Sequence, residues 1–191
     1  MKKRVKVHGL LMFVAAVLVA IFPDFFLRLG KSRYDLIFFL IGMAFLSSGF
    51  YLRIWARGFK SEHSDNSRKL VTGGPYRLTR NPMYLGVFLI ALAIIFLGFR
   101  AWVFLAFLVF FLVSYARLMR QEENKLTEFF GGSYLEYKNR TPFFIPRLSS
   151  LFKEGVSNSL AIKTAWIKKE SKALIPILLL ALGFNLWKLL K

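Results

Sequence analysis

The chain has no cysteine and only two histidines among its 191 residues. The missing cysteine excludes a disulfide framework, a thiolate zinc site and a cysteine nucleophile. His8 stands at an apolar boundary and His63 in the polar run SEHSDNS, so a solvated role outweighs a ligand role for both. Acidic residues are scarce too, 10 Asp and Glu against 28 Lys and Arg, which leaves a formal net charge of +18. No internal repeat, low-complexity segment or nucleic-acid module is recognisable. The basic excess is spread over several loops, so a nucleic-acid partner is not expected.

What the chain has in excess is apolar surface. Hydrophobic residues make up 56% and aromatic residues 17%, with 22 Phe. A soluble domain of this size cannot hide that much inside one core. Five segments carry little charge: Gly9–Pro23, Leu36–Leu52, Asn81–Phe99, Ala101–Ala116 and Ala173–Trp187. Only Asn81–Phe99 reaches the span of about 18 residues without help from its flanks; the others need snorkelling Lys, Arg or Tyr at their ends. The expectation is an all-α integral membrane protein of about five transmembrane helices. The basic start followed by an apolar run resembles a signal peptide, but Ile21-Phe22-Pro23 is a poor cleavage site, so it is read as the first helix.

Charge placement supports this reading. Lys and Arg number 4 before the first segment, 3 between the first and second, 7 between the second and third, 1 between the third and fourth, 11 between the fourth and fifth, and 2 at the end. By the positive-inside rule the N-terminus, the 53–80 loop and the 117–172 region face the cytoplasm. The charge then serves topology and attraction to anionic membrane lipids. Three parts are expected: a hairpin over 1–56, a core over 57–147, and a basic interfacial stretch with an apolar helix over 148–191, its 148–172 portion lying along the inner leaflet. Gly42 and Gly49, seven apart, are set for close helix packing. Arg53, Trp55 and Arg57 read as an interfacial anchor.

The stretch GGPYRLTRNPMYLG at 73–86 opens the third segment. Asn81 suits an N-cap and Pro82 the first helical position. Gly73 and Gly74 allow a sharp turn close to a ligand. Arg77 and Arg80, three apart, point the same way if the backbone between them is helical. This describes an anion site at a helix N-terminus, or equally a loop and cap with interfacial anchors. Beyond the fourth segment the residues ARLMRQEENKLTEFF continue a helix to a stop at Gly131-Gly132, so that it projects roughly two or three turns into the cytoplasm. Within it Glu122 and Glu123 can pair with Arg120 or Lys125, or one of them can turn toward the arginine loop. Ser133-Tyr-Leu-Glu136 has capping-box spacing, and Thr141-Pro142 ends the short helix it begins.

The series GPYRLTRNPMYLG, two apolar segments, then RQEENKLTEFFGGSYLEYKNRTPFFIP resembles the isoprenylcysteine carboxyl methyltransferase and phospholipid methyltransferase superfamily of integral-membrane enzymes over residues 70–147. The usual Arg-His-Pro appears here as Arg80-Asn81-Pro82, similar to the phosphatidylethanolamine methyltransferase form, and no imidazole stands at 81. The resemblance implies S-adenosylmethionine as cofactor at a cytoplasmic helical site. Around it would lie Gly74, Pro75, Tyr76, Arg80, Asn81, Pro82, Tyr84, Glu122, Glu123, Tyr134 and Tyr137. Arg80, Asn81 and Glu123 would stand nearest the reaction. The acceptor implied is lipophilic: a prenylcysteine-like carboxylate, a lipid amine or a small hydrophobic molecule. No metal is needed, because transfer from a sulfonium disperses charge in the transition state. Two other readings stand beside it, a membrane reductase of sterol-reductase-like fold and a non-enzymatic membrane scaffold.

Overall fold

The computed structural model describes residues 17–19, 21–28, 33–65, 68–146 and 162–167, together with 175, 176, 179 and 183. Most of Gly9–Pro23 and of Ala173–Trp187 lies outside the described residues. Among the described residues the structure is all helical, without strands. A helical turn, Pro23–Phe26, precedes four helices: α1, Asp35–His63; α2, Pro82–Gly98; α3, Ala101–Phe130; and α4, Gly132–Arg140. A 3₁₀ turn over Gly74–Arg77 lies between α1 and α2.

At about 1.5 Å per residue, α1 and α3 are roughly 44 Å long and α2 roughly 26 Å. Both long helices are apolar enough to cross a membrane; α2, with 17 residues, is apolar but shorter. Only 17% of the apolar stretch of α1 and 11% of that of α3 is buried, unlike the core helices of a soluble protein. Leu36, Ile37 and Leu40 on α1 and Leu105, Val109, Leu112 and Val113 on α3 are exposed. Such faces suit lipid.

Helices α1 and α2 pack closely through glycines. A Cβ built on Gly49 would lie 2.9 Å from the Gly86 carbonyl oxygen and 2.9 Å from the Ile90 nitrogen. One on Gly42 would lie 2.7 Å from the Leu97 side chain. Their seven-residue spacing does place both against the neighbouring helix. Trp55, expected as an interfacial anchor, is instead 1% exposed, in a buried cluster with Ile54, Leu78 and Trp166. The reason is that residues 162–167 fold back on the polar end of α1 and cover it.

At the opposite end of α2, the connection around Leu27 meets the turn around Phe99. The two form an isolated antiparallel bridge, in which Arg28 N–H donates to Gly98 O at 2.9 Å and Arg100 N–H to Phe26 O at 3.0 Å. The Trp102 ring lies 4.9 Å from that of Phe25. Two loops expected on one side of the bilayer are therefore at one end of the bundle. The other end is built differently. Both α1 and α3 run past the first residue of α2, and the 3₁₀ turn and α4 fill the space between their overhangs. Helix α3 continues unbroken to Phe130, about four turns beyond Ala116, and stops at Gly131 as expected.

The crossing of α1 and α2 generates a testable contrast. Gly49→Ala forces a methyl against backbone atoms that cannot yield and should destabilise the protein by about 1–3 kcal/mol. Gly132→Ala, where nothing lies within 4 Å of the added carbon, should be neutral or mildly stabilising. Thermal unfolding in detergent compares the two.

Candidate functional site

The site forms where the overhangs converge on the start of α2. Pro82 is the first residue of α2, and the Asn81 carbonyl accepts from Leu85 N–H at 3.0 Å, so the helix begins as expected. The cap differs from expectation. The Asn81 side chain does not turn back on α2; its Nδ2–H donates to the Phe143 carbonyl at 2.9 Å. That carbonyl also accepts from the Thr79 hydroxyl at 3.1 Å, and Arg80 N–H donates to Pro142 O at 2.9 Å. The segment after α4 thus holds the arginine loop through backbone groups. This diverts the amide from its own helix.

Before the loop, Gly74 adopts φ +54, and a Cβ there would meet the Phe59 ring at 2.9 Å, so both backbone and space require glycine. Pro75 and Tyr76 are buried. Tyr76 donates through its hydroxyl to Ala56 O at 3.4 Å, and the Tyr137 hydroxyl donates to Tyr76 O at 2.7 Å. These bonds tie the turn to α1 on one side and to α4 on the other.

Arg80 and Glu123 meet in the middle. Arg80 Nε lies 3.1 Å from Glu123 Oε1, with the side chains 10% and 7% exposed. The two atoms are close, yet neither has a hydrogen bond: the N–H is not aimed at the oxygen. Charge holds the contact, leaving a buried donor and a buried acceptor available to a third group. Lys138 Nζ stands 3.7 Å from Glu123 Oε2, and Arg80 Nη1–H donates to Lys138 O at 3.3 Å. The guanidinium also sits 5.5 Å from the centre of the Phe143 ring.

Glu122 faces inward as well. Its Oε2 accepts from the Tyr84 hydroxyl at 2.9 Å. Successive residues on a helix diverge by about 100°, so Glu122 reaches α2 while Glu123 reaches the loop. Neither is spent on a local pair with Arg120 or Lys125 in the contacts described. Two adjoining hollows share Lys60, Tyr76, Arg80, Leu126 and Tyr134. One adds Asn81, Pro82, Tyr84, Glu122 and Glu123. The other adds Lys69, Phe130 and Tyr137. All the expected site residues but Gly74 and Pro75 line one or the other, and those two shape the turn.

Arg77 does not join Arg80. The 3₁₀ turn ends at Arg77, so the two side chains part, and Arg77 lines a separate hollow with Ser133, Glu136 and Arg140. The capping box also fails. Helix α4 begins at Gly132 behind an N-cap at Gly131, φ +53, with no side-chain cap, because the single left-handed glycine suffices to break α3 from α4. The helix does end at Thr141. Sequence reasoning missed Lys60, Thr79, Lys138 and Phe143. Lys60 lies four residues after buried Ala56, on the same face of α1, and that spacing was a signal. Nothing in the sequence marks the Phe143 carbonyl.

Burial dominates the local ionisation. It pushes the Tyr134 hydroxyl from the usual 10 up to about 12, reinforced by the Glu123 carboxylate and opposed by Arg80. Tyr76 and Tyr137 are raised as well, again chiefly by burial, then by Glu122 and by Tyr134 respectively.

The phospholipid methyltransferase family model matches residues 36–133, half of the chain. The chain belongs to that family. Among curated proteins it is similar to the cobalt-zinc-cadmium resistance protein CzcN of Cupriavidus metallidurans, at 33% identity over 64% of this chain and 58% of that protein. It is also similar to the protein-S-isoprenylcysteine O-methyltransferase of Schizosaccharomyces pombe, at 34% identity over 65% of this chain and 55% of that protein. The chain therefore spans a little over half the length of these relatives. No solved structure matches it. A family of methyltransferases supports the expected resemblance and favours neither the reductase nor the scaffold reading.

Two outcomes follow from the buried pair and its neighbours. Glu123→Ala leaves Arg80 uncompensated and should cost about 3–5 kcal/mol, whereas adding Arg80→Ala should cost less than the sum of the two single changes. Thermal unfolding of the four proteins measures the coupling. Tyr134 also sets an alkaline limit. Its folded-state value lies above the unfolded value, so its contribution is complete below pH 10 and is lost as pH rises toward about 12. The Tyr134→Phe protein should lose less stability than the parent across that interval.

Proposed function

We propose that the chain is a multi-pass membrane enzyme transferring a methyl group from S-adenosylmethionine to a lipophilic acceptor, with the N-terminus and the site on the cytoplasmic side. The observation that carries this reading is the meeting of Arg80 and Glu123 across the start of α2, opposite charges buried together with an unused donor and acceptor. When bound, S-adenosylmethionine supplies an electrophilic methyl on a sulfonium.

The residues fit such a group. Arg80 offers a planar, permanently charged donor for a carboxylate, whether of the cofactor or of an acceptor. Glu123 offers an acceptor for an ammonium group or for ribose hydroxyls. Tyr76, Tyr84 and Tyr134 give the hollow beside Glu122 and Glu123 aromatic walls against which a flat base can pack. Asn81 keeps the loop seated through Phe143, and Pro82 sets the direction of α2. Methyl transfer of this kind gains most from alignment in a water-poor cavity. Arg80 and Glu123, both nearly excluded from water, suit that requirement.

An amine acceptor would have to lose a proton before attack, whereas a carboxylate would not. Glu122, held by the Tyr84 hydroxyl, is the residue placed to receive one. Charge placement supports the orientation: the loops around this end carry 7 and 11 Lys and Arg, against 1 at the α2–α3 turn.

The full chain purified in detergent should bind labelled S-adenosylmethionine, and Arg80→Ala or Glu123→Ala should weaken that binding by about tenfold or more, as for loss of a charged hydrogen bond. Retained affinity in both variants removes the roles proposed for them. Incubation with labelled donor and a total membrane extract should yield a labelled lipophilic product, whose headgroup identifies the acceptor.

A further inference from the structure

The segment 162–167 lies beyond the residues matched by the family, yet it reaches the back of the arginine loop. Residues 164–167 form one helical turn, and Trp166 is 5% exposed. Its ring rests on Gly58 of α1, where a built Cβ would come within 2.1 Å of the indole. Only glycine leaves room for the ring. The indole N–H donates to Glu62 Oε1 at 2.8 Å, and Lys163 Nζ donates to Glu62 Oε2 at 2.6 Å. One carboxylate on α1 thus holds two side chains of the returning segment.

The indole does not simply cover α1. It belongs to one buried cluster with Leu78, which stands between the 3₁₀ turn and Arg80. Phe59 packs against this cluster and also against the neighbouring one that contains Tyr76, Tyr134 and Tyr137. The same Phe59 ring presses on the backbone of Gly73 and Gly74. Trp166 and Phe59 therefore pack against the loop that carries Arg80, while the Phe143 and Pro142 carbonyls hold it through Thr79, Asn81 and the Arg80 amide.

We propose that Trp166 is a positioning residue: seated on Gly58 and clasped by Glu62, it clamps the Gly73–Arg80 loop against α1 and so fixes the direction from which Arg80 approaches Glu123. Its effect on donor binding rests on the function proposed above; its effect on the loop does not. Buried packing restricts a loop by limiting local opening, and amide exchange reads that opening directly. The amides of Tyr76, Leu78 and Arg80 bond to Gly73 O, Pro75 O and Pro142 O, so each reports on the loop.

The test compares the full-length protein with Trp166→Ala and Gly58→Ala in detergent by hydrogen exchange and by binding of labelled S-adenosylmethionine. Gly58→Ala evicts the ring from the other side of the contact while favouring helix in α1, so a loosened loop in that variant is not a weakened α1. Both variants should speed exchange at the three loop amides about tenfold and leave the membrane-facing part of α3 unchanged. Both should weaken donor binding roughly fivefold, and that loss should vanish in an Arg80→Ala background, because the two changes act through one group. Unchanged loop exchange in Gly58→Ala overturns the clamp even if Trp166→Ala fails to fold. A binding loss that persists undiminished without Arg80 overturns the positioning role. If the parent protein binds no donor, the methyltransferase reading falls while loop exchange still decides the clamp.

Discussion

The arrangement at the polar end of this protein depends on bringing one guanidinium and one carboxylate together where little water reaches. Burying either charge alone carries a large desolvation penalty, and the penalty is offset only when the partner is present. Arg80 comes from a loop and Glu123 from a helix more than forty positions later, so their contact at 3.1 Å requires that both be delivered accurately. Much of the surrounding structure can be understood as the means of delivery. The arginine arrives on a loop fastened to α4 and to the segment after it, while the glutamate arrives on the rigid overhang of α3.

That delivery uses backbone groups as much as side chains. The Phe143 carbonyl takes bonds from Thr79 and Asn81, and the Pro142 carbonyl takes one from the Arg80 amide. Buried polar groups need partners, and the Phe143 carbonyl satisfies two side-chain donors of the loop while the Pro142 carbonyl satisfies one of its backbone N–H groups. The contact that results is imperfect as a hydrogen bond. A pair selected for stability alone would be replaced by apolar packing or aligned better. In the function proposed above, a bound group would take over either partner of this misaligned pair.

Much of the fold was legible in the sequence because the relevant signals are local. The three middle apolar runs, Pro82 at a helix start, the stop at Gly131 and the end at Thr141 act over a few residues and appear where expected. The seven-residue glycine spacing on α1 also reads directly as a packing face. Trp55 misled because an aromatic beside arginines looks like an interfacial anchor; what buries it is a segment more than a hundred positions away. Arg77 misled for a related reason. A spacing of three aligns side chains only while the helix lasts, and the 3₁₀ turn stops at Arg77.

The sequence by itself determined the helical character, the three middle apolar segments and the order of motif pieces that identify a methyltransferase family. These depend on composition, periodicity and short-range steric preference, which a linear chain carries without reference to its partners. Only the tertiary structure decided that both Glu122 and Glu123 turn inward, that Asn81 serves the Phe143 carbonyl rather than its own helix, and that Trp166 returns to cover Gly58. Each of those depends on which distant group lies within hydrogen-bonding or van der Waals reach. Such distances are set by the packing of helices, and no local preference encodes them.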